Sequence, residues 1–96
     1  MSPKNKQKLE GIRKKLDKLD NKLLALIKNR TTLVKEVLKL KEFKKEIVDK
    51  KRINFILNKI KGKSKKLKID PKITNRIWKN MIWTYIDFEK RNFKKK

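Results

Sequence analysis

Residues 9–40, LEGIRKKLDKLDNKLLALIKNRTTLVKEVLKL, decide the fold of this 96-residue chain. Their apolar side chains recur in steps of three and four, at positions 9, 12, 16, 19, 23, 26, 33, 37 and 40. That spacing is typical of an amphipathic helix and predicts one long helix from about residue 5 to 42. Such a helix is roughly 55 Å long at 1.5 Å per residue. The rest of the chain is too short to cover it, so we expect a second copy to bury the apolar stripe.

One position interrupts this stripe. The spacing of three and four residues predicts an apolar residue at position 30, but the sequence has Arg30 there. A buried charge is costly unless it is paired, so we expect Arg30 to meet an anion. Only five of the 32 basic residues are Arg, and an Arg among so many Lys indicates a need for a planar, bidentate donor.

Two further helices are predicted from their start signals. Residues 42–48 break the pattern and form a connection. Asp49 is a suitable N-cap for a helix over about 49–64, which fades around Gly62 and the run at residues 63–66. The pair Asp70-Pro71 then predicts a third helix to about residue 92. Its inward positions are predicted to be 77, 78, 81, 82, 85, 88 and 89. The expectation is an all-α fold of one long and two medium helices, in a single domain over residues 1–96.

Composition excludes many kinds of chemistry. The chain has no Cys and no His, which removes disulfides, thiolate ligands and the commonest general base. We therefore expect no metal and no cofactor. The polar start and the absence of a long apolar run predict a cytoplasmic protein with no membrane role. The net charge of +22 will attract polyanions and small anions alike.

Four segments, taken in order, carry a family resemblance: 12–20 (IRKKLDKLD), 23–30 (LLALIKNR), 34–41 (VKEVLKLK) and 49–52 (DKKR). This ordered set resembles the helical chorismate mutases, over about residues 9–89. The resemblance implies an intertwined homodimeric bundle and chorismate as the substrate. It also implies that one chain provides most of each site and lends Arg13 to its partner's site.

The same resemblance assigns roles to the other site residues. Arg30 and Arg52 would grip the substrate carboxylates, and Lys41 would reach a carboxylate and the ether oxygen. The region of Asp49 would hold the ring hydroxyl. Tyr85 and Glu89 occupy third-helix positions where family members often carry a small polar residue and a Gln.

Two residues depart from the family pattern. Ile53 stands where the family has Glu, and its side chain cannot accept a hydrogen bond from the ring hydroxyl. Glu89 replaces Gln, and only a protonated carboxyl can donate to the ether oxygen. We therefore predict that activity falls as pH rises and that Glu89→Gln flattens the profile.

Other functions stay open at this stage. The related isochorismate-pyruvate lyases also carry an aliphatic residue at the position of Ile53, and their third helix has an aromatic stretch like residues 82–86. A basic helical nucleic-acid-binding protein is the alternative from another class, supported by the charge. The even spread of Lys and the lack of a recognised nucleic-acid motif count against it, so we expect no specific nucleic acid partner. Each proposed site residue, taken alone, also has a structural reading as a surface charge, a helix cap or a core side chain.

Overall fold

The computed structural model describes residues 1–95, which form three α-helices and one short 3-10 turn. Helix α1 is Pro3–Leu40, α2 is Lys50–Lys66 and α3 is Pro71–Asn92, with the 3-10 turn at Lys44–Glu46. No strand occurs among the described residues. The all-α prediction with one long and two medium helices is therefore confirmed. Within residues 1–95, no helix combines the length and apolar character needed to cross a membrane.

Side-chain caps start the second and third helices where the sequence predicts them. The Asp49 carboxylate accepts a hydrogen bond from the backbone N–H of Arg52 at 3.0 Å, and the Asp70 carboxylate accepts one from Lys72 N–H at 2.9 Å. Pro71 fills the first turn of α3, where a missing N–H costs nothing. Both caps satisfy donors that the helix itself leaves unpaired.

Helix α2 continues past Gly62 to Lys66, and Lys68 closes its C-terminal end. Lys68 has a φ of 57°, the left-handed conformation that a helix often adopts just beyond its end. The N–H of Ile69 donates to the Ser64 carbonyl at 2.9 Å, and Lys68 N–H donates to the Lys65 carbonyl at 3.1 Å. These two bonds form a Schellman motif. The predicted end lay near residue 64, with fading around Gly62 and residues 63–66, and the helix ends at Lys66.

Contacts group the chain into two compact units, Met1–Leu33 and a second that begins at Val34. The first unit is helical from Pro3 onward, and no residue of α1 is fully buried. Its stripe is exposed in the single chain, with Ile12, Leu16, Leu19 and Leu23 each more than half exposed.

The second unit contains the core. Ile47, Ile82 and Ile86 are its buried apolar residues, and six partly buried side chains pack against them: Leu38, Val48, Ile53, Ile56, Leu57 and Phe93. Of the predicted inward positions on α3, Ile77 is instead 53% exposed. The core is small for a 96-residue chain, so each polar group at its edge contributes a large part of the free energy of unfolding.

A buried pair of hydroxyls joins α2 to α3. Ser64 Oγ and Thr74 Oγ1 lie 2.7 Å apart, and Ser64 also donates to the Ile60 carbonyl at 2.6 Å. Both side chains are buried, and this contact helps to satisfy their hydrogen-bonding groups.

Candidate active site

Lys41 and Glu89 come together although they are 48 residues apart in the sequence. Lys41 directly follows α1, and its backbone N–H donates to the Leu38 carbonyl at 3.2 Å. Its Nζ lies 3.1 Å from Glu89 Oε1, near the C-terminal end of α3. The two side chains are only 17% and 8% exposed. The second unit therefore contains one largely desolvated ion pair made of two predicted site residues.

Burial determines what this pair can do chemically. Charges removed from water are weakly screened, so the ammonium of Lys41 and the carboxylate of Glu89 both act strongly on a nearby ligand. An ammonium has three N–H donors, and one of them meets the Glu89 carboxylate. The others can donate to an anionic ligand. A carboxylate fixed beside them holds the ammonium in place before any ligand arrives.

Asp49 and Arg52 are linked through the cap of α2. Both are exposed, and the Asp49 carboxylate is used in the hydrogen bond to the Arg52 backbone. The Arg52 guanidinium lies over the ring of Phe55 at 5.4 Å, and Lys59 Nζ lies 5.8 Å from the same ring centre. A cation over an aromatic face is attracted by the ring quadrupole. Phe55 therefore limits the orientations available to the Arg52 side chain.

Sequence reasoning missed Phe55. The signal was present, because residues three and four apart are neighbours on a helix surface. Positions 52, 55 and 59 place an exposed aromatic ring, 55% exposed, between two cations.

Ile53 and Tyr85 are both half-buried. Ile53 is one of the side chains packed against the core. An apolar residue at this position thus has a structural use in addition to any contact with a ligand. Tyr85 lies one turn before Glu89 on α3.

Arg13 and Arg30 belong to the first unit. Arg13 is exposed and forms an ion pair with Glu10, one turn earlier, at 3.2 Å. Exposed pairs of this kind contribute little to stability, so Arg13 can exchange Glu10 for another anion at small cost. Arg30 is half-buried on α1, as are Thr31 and Val34.

In the part of the chain that the structure describes, no group of three or more His, Cys, Asp or Glu side chains lies close enough to hold a metal ion.

Comparisons with known proteins point to the same family as the sequence resemblance. The model of a family described as chorismate mutase type II matches residues 12–90. A protein from Methanocaldococcus jannaschii named chorismate mutase is 36% identical over 77 residues, which cover 79% of this chain and 78% of that protein. No solved structure matches. The matched range includes each of the predicted site residues.

Proposed function

Because the chain belongs to the chorismate mutase type II family, we propose that it converts chorismate to prephenate by clamping the substrate dianion between fixed cations. This activity serves aromatic amino acid biosynthesis. The observation that carries the proposal is the desolvated Lys41–Glu89 pair, inside the range that the family matches.

The reaction suits the residues present. Chorismate rearranges within one molecule: the ether C–O bond breaks as a new C–C bond forms, and no nucleophile or obligatory proton transfer is needed. Catalysis consists of holding the folded conformer and stabilising negative charge that develops on the ether oxygen. Guanidinium and ammonium groups provide both, so the lack of His and Cys is no obstacle.

Each side chain has a proposed role. Arg30 and Arg52 bind the two carboxylates, and Lys41 donates to a carboxylate and to the ether oxygen. Glu89 accepts a hydrogen bond from Lys41 and so holds the ammonium in place beside the ether oxygen. Asp49 lies where the ring hydroxyl binds, while Ile53 and Tyr85 line the ring.

We also propose that the working form is a homodimer. The support is the exposed stripe of the first unit, since monomeric proteins rarely expose large apolar patches. Ile12, Leu16, Leu19 and Leu23 are each at least half exposed and lie on one side of α1. Arg13 lies beside this stripe, and in the proposed dimer it completes the site of the partner.

One assay tests the activity. Purified protein is given chorismate and isochorismate in separate reactions, and the products are identified. Prephenate from chorismate supports the proposal. Salicylate and pyruvate from isochorismate, without prephenate, would favour the lyase that Ile53 suggests. Failure to consume either compound would rule out both activities.

Arg30→Ala tests the placement of the site. We expect it to abolish turnover while the helical circular dichroism and the dimer persist. Full activity in this variant would show that the clamp is elsewhere.

Mixing two inactive variants tests the contribution of Arg13. In a heterodimer of Arg13→Ala and Arg30→Ala chains, one site keeps both Arg residues if Arg13 acts across the interface. An equimolar mixture should then regain about a quarter of wild-type activity after subunit exchange. No recovery despite heterodimer formation would mean that Arg13 acts within its own chain or not at all.

A further inference from the structure

One exposed side of α3 carries a row of cations with an aromatic ring at its end. Lys72, Arg76, Lys79 and Trp83 follow one another in steps of four, three and four residues. This spacing places side chains on one face of a helix. All four residues are exposed, and Trp83 is 52% exposed. We call these four residues the basic row, and none of them belongs to the proposed active site.

The charges of the basic row are available to a ligand. In the part of the chain that the structure describes, none of its three cations forms an ion pair. Asp and Glu are absent from residues 71–86. Asp87 lies one turn beyond Trp83, and its carboxylate accepts a hydrogen bond from Arg91 at 3.0 Å. A line of ammonium and guanidinium groups of this kind attracts polyanions.

An open cavity beside the basic row adds further hydrogen-bond donors. Its volume is about 520 Å³, and its lining includes Lys72, Asn75, Arg76, Lys79 and Asn80. Each of these side chains carries N–H groups, and the Arg guanidinium can donate two parallel hydrogen bonds to one phosphate. The cavity precedes the exposed ring along α3, so donors suited to phosphate and an aromatic surface are adjacent.

Trp83 determines which polyanion fits the basic row. Every nucleic acid base has a π-face, so a base can stack on an exposed aromatic ring whatever the sequence. Bases in a duplex already stack on each other, which leaves a single strand as the better partner. An anionic membrane requires a broad apolar face, whereas the basic row has one large apolar side chain. Ile73 and Ile77 are also exposed, but at 3.6 residues per turn they lie about a quarter turn or more from the middle of the row.

We propose that the basic row binds single-stranded nucleic acid without sequence preference. Lys72, Arg76 and Lys79 bind phosphates, and one base stacks on Trp83. Lys72 and Trp83 are eleven residues apart, or roughly 16 Å along the helix axis, which is long enough for several nucleotides. Binding of this kind agrees with the expectation that the protein has no specific nucleic acid partner, and it does not depend on the mutase activity.

The fluorescence anisotropy of a labelled oligothymidylate, titrated with full-length protein at physiological salt, tests the stacking contact. Trp83→Ala should weaken binding roughly five- to tenfold, the lower part of the range for loss of one stacked base. Trp83→Phe keeps an aromatic ring and should weaken binding less than about threefold. Helical circular dichroism of both variants checks that the fold is intact. A duplex of the same length should bind wild type and Trp83→Ala with affinities that differ by less than about twofold, because its bases cannot reach the ring. Equal weakening for the single strand and the duplex, or none for the single strand, would overturn the proposal.

Matched charge variants separate the basic row from general attraction. Each phosphate contact in a single strand contributes about 0.7 to the slope of log K against log salt, so Lys72→Gln/Lys79→Gln should reduce that slope by about 1.4. The control Lys14→Gln/Lys18→Gln removes the same charge from exposed positions in the first unit and should leave the slope nearly unchanged. Equal reductions in the two double variants would mean that net charge alone attracts the strand, and the row would not be a site.

Vesicles of phosphatidylcholine and phosphatidylserine test the membrane as the occupant. Wild type and Trp83→Ala should sediment with these vesicles to the same extent, because one ring provides little apolar area for a bilayer. If Trp83→Ala reduces sedimentation with vesicles but leaves oligothymidylate binding unchanged, the basic row is a membrane surface and the proposal is wrong.

Discussion

Replacing Lys41 by Met should be among the most damaging single substitutions in this protein. Met has a similar length and no charge, so the Glu89 carboxylate, 8% exposed, would lose its ammonium partner. The pair lies in the unit that contains the small core, where little else can compensate.

The distance between the two charges and their burial determine how much stability Lys41→Met removes. Two unit charges 3.1 Å apart attract by about 5 kcal/mol at an effective dielectric constant of about 20. The cost of desolvating both charges offsets much of this attraction. Removal of one partner from a buried pair still lowers the free energy of unfolding by about 3–5 kcal/mol. The free energy of unfolding of small domains is roughly 5–15 kcal/mol, so Lys41→Met should remove a large fraction of it. Glu89→Gln keeps an oxygen that can accept from Lys41, and we expect a loss of only about 1–2 kcal/mol.

Urea unfolding at fixed protein concentration measures these losses, with helical circular dichroism as the signal. The exposed pair of Arg91 and Asp87, also on α3, provides a matched control. Its atoms are 3.0 Å apart, but its side chains are 66% and 69% exposed. Asp87→Asn should therefore cost less than about 1 kcal/mol. If Lys41→Met costs no more than Asp87→Asn, the Lys41–Glu89 pair is not desolvated in solution and the reasoning fails.

The double variant Lys41→Met/Glu89→Leu separates stability from catalysis. Replacement of both charges by apolar side chains removes the unpaired carboxylate, so stability should return to within about 1–2 kcal/mol of wild type. Turnover of chorismate should not return, because the ammonium that we propose to face the ether oxygen is still missing. Recovery of both would mean that Lys41 is needed only for folding.

The remaining predictions concern single features of the helices. Asp49→Ala and Asp70→Ala each remove a helix N-cap, and each should lower the free energy of unfolding in urea by about 1 kcal/mol. Only Asp49→Ala should also lower kcat/KM for chorismate. Phe55→Leu should raise KM about two- to fivefold by releasing the Arg52 side chain, whereas Phe43→Leu, which removes an exposed ring beside Lys45, should leave KM unchanged. Lys68→Gly should stabilise the protein by about 1 kcal/mol, because Gly adopts the left-handed conformation without strain; an unchanged unfolding midpoint would contradict this.

Periodicity and caps were sufficient to predict the fold. The apolar spacing of α1 persists over many turns, and long periodic segments are the most reliable part of any sequence-based prediction. Asp49 and Asp70 predicted the starts of α2 and α3 because a side-chain cap is a local interaction between near neighbours. The ends were harder to place. Lys68 closes α2 in a left-handed conformation that Gly usually provides, and nothing in its own chemistry indicates this role.

The candidate site could be predicted only in part, because its contacts join distant segments. Spacing identified Arg30, and the family resemblance identified Lys41 and Glu89 separately. Their 3.1 Å contact depends on packing between the end of α1 and the end of α3, which no local pattern encodes. The exposed position of Ile77 illustrates the same limit: helical periodicity assigned it to the inward face of α3, but the core forms around Ile82 and Ile86 instead.

The Lys41–Glu89 pair also constrains how the proposed site achieves a net positive charge. Glu89 is one of only ten acidic residues, and an ionised carboxylate beside a doubly negative substrate would oppose binding. In the ion pair the charge of Lys41 is already balanced, so it cannot also neutralise a substrate carboxylate fully. In the proposed dimer, the net positive charge would then come from Arg30, Arg52 and the Arg13 of the second chain. On this reasoning Glu89→Gln should tighten substrate binding, because it releases the full charge of Lys41, while removal of any one of the three Arg residues should weaken it.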